Sequence, residues 1–363
     1  MPEAVRFGVI GTSWLEDLRH LPALESHPRA EVAAICGRNA ERARSLAVKH
    51  AIAATFTDYR EMLEKEHLDA VVIATPDDLH YPMTMDALDL GLHVLCEKPL
   101  ASSAAQAREM YERAEAVGVK HAVGFTWRCL PSLSYLRELV AEGYLGRIYH
   151  CALRCLADYA RGGRYQWRFD PRRANGILGD LGSHVIDLAR LFVGEIARVN
   201  AHLVAPVPTA GPDGLPMQPA NQSASLAVEF ANGAQGTIHV SALAHLAGRG
   251  LEIRVRLYGE GGTLEADFES GGLEMEVRGA RADEARFQTL PIPDRIWGDV
   301  VDRRDPLEWA RGLPSIDRLL VDAIVNDRPM SPSFLDGLKA QEVVDAALAS
   351  HERGAWEPVG GQG

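Results

Sequence analysis

The feature that most constrains the fold is a strict alternation of short apolar runs with helical patterns in the first part of the chain. VRFGVI begins at Val5 and is followed by a helical pattern to about Ser26; EVAAIC precedes one running through Glu41 to His50. DAVVIA, Asp69 to Ala74, leads into a helix through Met83 to Leu90, HVLCE, His93 to Glu97, into one ending at Val117, and KHAVGF closes the series. Strands alternating with helices are joined by right-handed crossovers into a parallel sheet with both faces covered. The expectation for residues 1–124 is a doubly wound α/β domain that binds its ligand at the carboxyl ends of the strands.

From about Phe125 the pattern changes. Pro131 to Glu142 reads as a helix, Arg147 to Leu156 as a strand and, after an irregular Arg-rich stretch, Ile177 to Phe192 as a second helix. VNAHLVA, ASLAVEF, AQGTIHVSAL, LEIRVRLYG, GTLEADF and LEMEV then follow one another as strands, separated by turn signals such as Asn232-Gly233 and Gly261-Gly262. Strands in series without intervening helices indicate antiparallel pairing. Pro206 to Pro219 reads as an exposed loop, and helices near Leu307 to Asn326 and Leu335 to His351 close the chain. Residues 125–363 are therefore expected to form an α+β domain with a large, mostly antiparallel open sheet. Its broad face needs a cover, and self-association into a homodimer or homotetramer is the usual means.

Bulk properties narrow the partners. A formal charge of −12 argues against the basic face that phosphate neutralisation on nucleic acid requires, so a small-molecule partner is expected. Five cysteines without a CxxC pair suit a reducing compartment, and neither they nor His20, His50 and His245 have metal-ligand spacing, so no metal is expected. No apolar run approaches membrane-spanning length, and a first strand beginning at Val5 leaves no room for a leader, which together give the expectation of a cytoplasmic protein.

The first strand runs into "GVIGTSWLED", Gly8 to Asp17. In a dinucleotide-binding Rossmann domain three glycines serve here: one makes the tight turn, one lets backbone approach the pyrophosphate, and one allows the helix to crowd the sheet. Those places fall on Gly11, Ser13 and Glu16. Ser13 is a mild departure, because a small hydroxyl can donate to phosphate, whereas Glu16 puts an anionic side chain at the helix–sheet seam. Thr12, Ser13, Trp14 and Leu15 would still present backbone to the pyrophosphate, with the Trp14 indole read as packing. Taken alone, the turn is also compatible with a strand-to-helix connection that holds no nucleotide.

Longer segments decide. "VVIATPDDLHYPMTMDALDLGLHVLCEKPLA", Val71 to Ala101, and "GILGDLGSHVIDLARLFVG", Gly176 to Gly194, resemble the glucose-fructose oxidoreductase / inositol dehydrogenase / MocA family of NAD(P)-dependent oxidoreductases. "GFTWRCLPSLSYLRELVAEGYLGRI" at Gly124 and "PSFLDGLKAQEVVDAALAS" at Pro332 extend the likeness over nearly the whole chain. The resemblance implies an enzyme that transfers hydride between a nicotinamide and a hydroxyl or keto group of a sugar, polyol or sugar acid.

That chemistry needs a group that takes the hydroxyl proton as hydride leaves and returns it in reduction. His184 fits, with Asp180 four residues earlier on the same helical face and Asp187 three residues later, placed to orient or pair with it. Lys98, just past a strand at the carboxyl edge of the parallel sheet, can hydrogen-bond the reacting oxygen and stabilise alkoxide. By resemblance, Glu97 faces the nicotinamide ribose and Thr75 and Pro76 line the same pocket, with Pro99 a candidate for a cis peptide. His80 begins a helix and either contacts cofactor or caps. Arg128, Trp167 and Arg168 are assigned to substrate; Arg161, Arg164, Arg168, Arg172 and Arg173, just before the His184 helix, could grip an acidic group or serve only as solvated loop charges.

Cofactor choice rests on the end of the second strand. NAD-selective folds place a carboxylate there; in "EVAAICGRNAERA" the position is Gly37, followed by Arg38, with Arg42 four residues on. A guanidinium can pair with a 2′-phosphate, so NADP(H) is expected in preference to NAD(H), which remains possible. Two rivals stay open: a redox-neutral glycosidase or lyase that retains its nicotinamide, and a non-catalytic nucleotide-binding protein.

Overall fold

The computed structural model describes residues 4–360. Its first sheet holds β1 (Val5–Ile10), β2 (Ala30–Cys36), β3 (Ala54–Phe56), β4 (Ala70–Ile73), β5 (His93–Cys96) and β6 (His121–Val123), all parallel, in the order β3-β2-β1-β4-β5-β6. Helices α1 (Leu21–Glu25), α2 (Ala40–Lys49), α3 (Tyr59–Lys65), α4 (His80–Asp89) and α5 (Ala104–Val117) connect them. Phe7, Val9, Ile35, Val71, Val72, Ile73 and Leu95 are inaccessible to solvent, as a sheet covered on both faces requires. Strand order reverses between β1 and β4, which opens the ligand crevice of this fold at their carboxyl ends. The sequence reading passes over β3 and α3, because the ATF of β3 is only three residues long and no more than half buried.

Two helices begin with a widened π turn rather than as plain α-helix. Glu16–His20 precedes α1, and Leu178–Gly182 precedes α7 (Ser183–Val193). The second turn replaces the first part of the uniform helix expected over Ile177 to Phe192. Such turns displace side chains from the regular helical progression and are frequent at functional sites.

The second sheet contains nine strands. After α6 (Pro131–Ala141) come β7 (Ile148–Leu156) and β8 (Ile196–Val204), then β9 (Thr209–Ala210) and β10 (Pro216–Met217), which form a separate two-stranded sheet, and then β11 (Ser223–Phe230) and β12 (Gln235–Ser241). β13 (Glu252–Gly259), β14 (Gly262–Glu269), β15 (Glu274–Arg281) and β16 (Gln288–Thr289) follow, and after helices α8 (Pro306–Gly312), α9 (Ile316–Val325) and α10 (Phe334–Arg353) the chain returns as β17 (Glu357–Pro358). The sheet order is β16-β15-β14-β13-β7-β12-β11-β8-β17, antiparallel except where β7 meets β12. One face is apolar, with Cys151, Leu153 and Cys155 of β7 beside Val255 and Ile238, and α7 packs against β7 and β12. The strands also carry an ionic ladder in which Arg254 reaches Asp267 at 2.5 Å and Glu269 at 2.7 Å.

Contacts divide the chain into two compact units. One runs up to Thr126 and includes Trp297–Leu338; the other holds Trp127–Ile296 and continues from Lys339. The sequence reading places everything after residue 124 in one domain, whereas α8 and α9 fold with the first unit. The reason is their apolar face: Ile316, Leu320 and Val321 are buried, and α9 packs on β1, β5 and β6. Nor is Leu307 to Asn326 one helix, because Pro314 interrupts it and Ser315 starts α9 by accepting the Arg318 N–H.

Candidate active site

In the first unit, the turn after β1 is shaped by side chains that press on it. Gly11 has φ +142, and a Cβ there would run into the Glu16 carboxylate and the Ala74 carbonyl, so only glycine serves. A Cβ at Gly37 would strike the Thr12 side chain, so the ends of β1 and β2 also approach closely. Glu16 points inward at the turn and is completely buried: its Oε2 accepts the Ser13 N–H at 2.6 Å and the Ser13 hydroxyl at 2.5 Å. Burial pushes its carboxyl above the ordinary range, more than the Ser13 hydrogen bonds and the nearby His20 lower it. Trp14 does not pack: 58% of it is exposed, on the rim of the turn beside half-buried Leu15. Arg38 is exposed directly after β2, while the Arg42 Nε donates to the Thr12 carbonyl and so braces α2 against the turn.

The second half of this site lies after β4 and β5. The Glu97 N–H extends β5 by donating to Ile73 at 2.8 Å, and the Lys98-Pro99 peptide is cis. Glu97 is buried, its Oε2 accepts the Lys98 N–H at 3.1 Å, and a Cβ at Gly124 would strike its carboxylate. Burial opposes its charge, yet His20 and Lys98 hold its carboxyl below the ordinary range. Lys98 itself is half-buried, and Thr75 and Pro76 occupy the neighbouring strand end. His80 is committed to the scaffold: Nδ1 lies 2.8 Å from the Pro99 carbonyl and Nε2 2.9 Å from the Thr75 carbonyl. Burial lowers its pKa. It spaces the two loops, so the cofactor contact considered from sequence gives way to a positioning one.

In the second unit, the π turn and α7 carry the remaining residues. Asp180 Oδ2 accepts the Tyr159 hydroxyl at 2.6 Å and lies 3.2 Å from the Arg168 Nε. Burial, reinforced by the Asp180 charge, raises the Tyr159 phenol well above its ordinary range, so it stays a donor. The Arg168 guanidinium sits over the Trp167 ring, 4.6 Å from its centroid. His184 stacks on Trp127 with centroids 4.2 Å apart and planes 8° from parallel.

The fold engages two of the residues read from sequence. Arg128 is buried and bidentate on Asp187, at 2.8 and 2.5 Å, so its fork braces α7 instead of facing substrate. Asp187, expected to orient His184, is engaged by that guanidinium and by Arg190 at 3.8 Å. The arginine-rich stretch is also largely engaged within the chain: Arg161 meets His245, Arg168 meets Asp180 and Arg172 meets Asp170. Trp127 and Tyr159, which touch His184 and Asp180, escape the sequence reading although both lie in segments singled out for other residues.

The residues present fit a dinucleotide. A glycine turn with no room for a side chain stands at the switch point of a 3-2-1-4-5-6 sheet, and the Glu97-Lys98 segment ends β5 along the same edge. Gly11 to Leu15, Arg38, Thr75, Pro76, Glu97 and Lys98 are the groups that would hold it.

Comparison with known proteins agrees. A model described as an oxidoreductase family with an NAD-binding Rossmann fold matches residues 5–125, and one described as the GFO/IDH/MocA C-terminal domain matches residues 133–265. Levoglucosan dehydrogenase of Pseudarthrobacter phenanthrenivorans is 28% identical over 356 residues, covering 90% of this chain and 88% of that protein. The solved complex of levoglucosan dehydrogenase with NADH and levoglucosan has a TM-score of 0.86 at 27% identity, covering 98% of this chain and 100% of that one. The scyllo-inositol 2-dehydrogenase (NADP(+)) of Bacillus subtilis is 34% identical over 201 residues, 54% of this chain and 61% of that protein.

Proposed function

Because the chain belongs to the GFO/IDH/MocA family of NAD(P)-dependent oxidoreductases, we propose that it moves a hydride between NADP(H) and a hydroxyl or keto group of a sugar or polyol. Lys98, Asp180 and His184 are the catalytic residues of this reading. The observation that carries it is the arrangement at the head of α7, where a nearly buried imidazole is stacked on Trp127 and a carboxylate is anchored by Tyr159 and Arg168.

When bound, the nicotinamide supplies the hydride acceptor or donor. His184 takes the hydroxyl proton in oxidation and returns it in reduction, its ring plane fixed by the indole beneath it. Lys98 donates a hydrogen bond to the substrate oxygen and offsets its negative charge as alkoxide character develops. Asp180, held as an acceptor, orients the sugar through a hydroxyl group. Commitment of Arg168 to Asp180 favours a neutral sugar or polyol over a sugar acid. This agrees with the name of the levoglucosan enzyme, to which the chain is similar over most of its length.

Exposed Arg38 and the absence of a carboxylate at Gly37 support NADP(H), with NAD(H) the alternative raised by the NADH complex of the similar structure. Five cysteines without a CxxC pair fit a reducing cytoplasm, and a homodimer or homotetramer would cover the broad face of the second sheet. Nicotinamide absorbance measured over a panel of anhydrosugars, sugars, polyols and sugar acids tests the proposal. Substrate-dependent change with added cofactor supports it; turnover of a glycoside with no net change in free cofactor would establish the redox-neutral alternative.

A further inference from the structure

Three ionisable side chains from distant parts of the first unit meet behind the Glu97-Lys98-Pro99 segment. His20 ends the π turn that leads into α1; its Nδ1 lies 2.7 Å from Asp317 Oδ1 on α9, and its Nε2 lies 3.5 Å from Glu97 Oε1. Their exposures are 1%, 3% and 6%. A neutral imidazole would leave the Lys98 charge beside Glu97 to offset two buried carboxylates, so the arrangement favours an imidazolium. Burial, the largest single influence, works to remove its proton, but Asp317 and then Glu97 outweigh it and keep His20 charged well above the ordinary histidine range. Glu16, on the same π turn, adds a further acidic group, and Lys98 flanks Glu97. Helix α8 packs on the same turn; its Glu308 accepts the Val301 N–H and its Arg311 is exposed.

The geometry around Glu97 shows where this charge acts. One carboxylate oxygen receives the N–H of Lys98, Gly124 closes the adjacent space, and His20 faces the other oxygen. We infer that His20, oriented by Asp317, is a positioning residue that fixes the Glu97 carboxylate, and through it the Lys98 peptide, toward the nicotinamide half of the cofactor. This rests on the reading above that places Glu97 and Lys98 at that half.

The test compares His20→Gln, Asp317→Asn, Glu97→Gln and the double variant His20→Gln/Glu97→Gln. Each is titrated with intact NADPH and with adenosine 2′,5′-bisphosphate, which lacks the nicotinamide half, and each is melted. The expected result is an intact-cofactor affinity about tenfold weaker in each single variant, the scale of displacing a positioned group. Affinity for the bisphosphate should stay unchanged, and the double variant should bind no more weakly than Glu97→Gln. Histidine ring NMR of the cofactor-free protein should show a doubly protonated His20 at pH 8 that Asp317→Asn abolishes.

If His20 only ties α9 to the core, the melting temperature falls, both ligands weaken together, and the loss persists in the Glu97→Gln background; this overturns the inference. If Glu97→Gln alone leaves NADPH affinity unchanged, the placement of Glu97 at the nicotinamide fails, and the inference with it. If Glu97→Gln weakens NADPH binding and His20→Gln does not, the placement stands and the positioning role is refuted. Should His20→Gln not fold, Asp317→Asn, which keeps the size of the side chain, carries the same comparison.

Discussion

Glu16 is expected to oppose its own cofactor. Its carboxylate occupies the Ser13 N–H and hydroxyl at 2.6 and 2.5 Å, donors that an incoming phosphate would otherwise use. With a phosphate charge about 6 Å away and an effective dielectric of about 20, repulsion is roughly 3 kcal/mol. A released charge-assisted hydrogen bond adds about 1.5–3 kcal/mol. Solvent screening and proton uptake by Glu16 reduce both, leaving an expected gain of about tenfold in affinity, or about 1.4 kcal/mol, for Glu16→Ala or the volume-conserving Glu16→Gln. Ser13→Gly should gain less, since it leaves the carboxylate in place.

The pH dependence follows from the direction of the Glu16 shift. Burial raises the folded-state pKa above that of an ordinary glutamate in the unfolded chain. Between those two values the folded protein binds more protons than the unfolded chain, so this residue's contribution to stability declines as pH rises through that window. A nearby diphosphate favours the protonated form further, so wild-type affinity should strengthen on acidification while that of Glu16→Gln stays flatter. Fluorescence titration with NADPH at pH 6 and pH 8.5, alongside thermal melts, reads both effects. An unchanged or weaker affinity in Glu16→Gln, or equal pH slopes, would refute the competition between carboxylate and phosphate.

Removing the proton-transfer groups is the most direct test of mechanism: His184→Ala and Lys98→Ala should each lower turnover about a hundredfold or more. His184→Ala should leave cofactor affinity nearly unchanged, and near-normal turnover would dismiss the assignment. Binding of NADP(H) should exceed that of NAD(H) by about tenfold through a charge-assisted contact of Arg38; Arg38→Ala should erase most of the difference, and parity in the wild type would reverse the reading. Because Arg168 holds Asp180, Arg168→Ala should lower kcat for neutral and acidic sugars alike. A rise in KM confined to a sugar acid would instead restore the acidic-substrate idea.

The parallel sheet was legible because its strands are buried on both faces and therefore read as continuous apolar runs bounded by helices. β3 was not, because three residues at a sheet edge carry too little pattern. Segment Trp297–Leu338 gave no signal of its return to the first unit: its helices are amphipathic wherever they pack, and periodicity reports that a face is buried without saying against what. The same limit explains Arg128. Beside a tryptophan in a family-like segment it reads as a ligand grip, but its partner Asp187 lies 59 residues away and only the fold brings the two together. Asp180 and His184 were found through the segment around them; their four-residue spacing straddles a π turn that sequence does not announce.

The two aspartates at the head of α7 and within it show why the proposed site needs both a fixed and a responsive charge. Asp187 is bidentate with buried Arg128 and lies near Arg190, so breaking that cluster would leave an uncompensated charge in the core. That makes it a brace for the helix. Asp180 is held differently, by a neutral phenol at 2.6 Å and by an arginine that is one-third exposed. The Tyr159 phenol, kept protonated by burial and by Asp180 itself, donates without contributing charge. In the reading proposed above, Asp180 also accepts a hydrogen bond from a substrate hydroxyl. A phenol so reluctant to ionise cannot serve as the base, and the guanidinium of Arg168 cannot either. The proposed mechanism therefore assigns proton exchange with the substrate to the imidazole of His184.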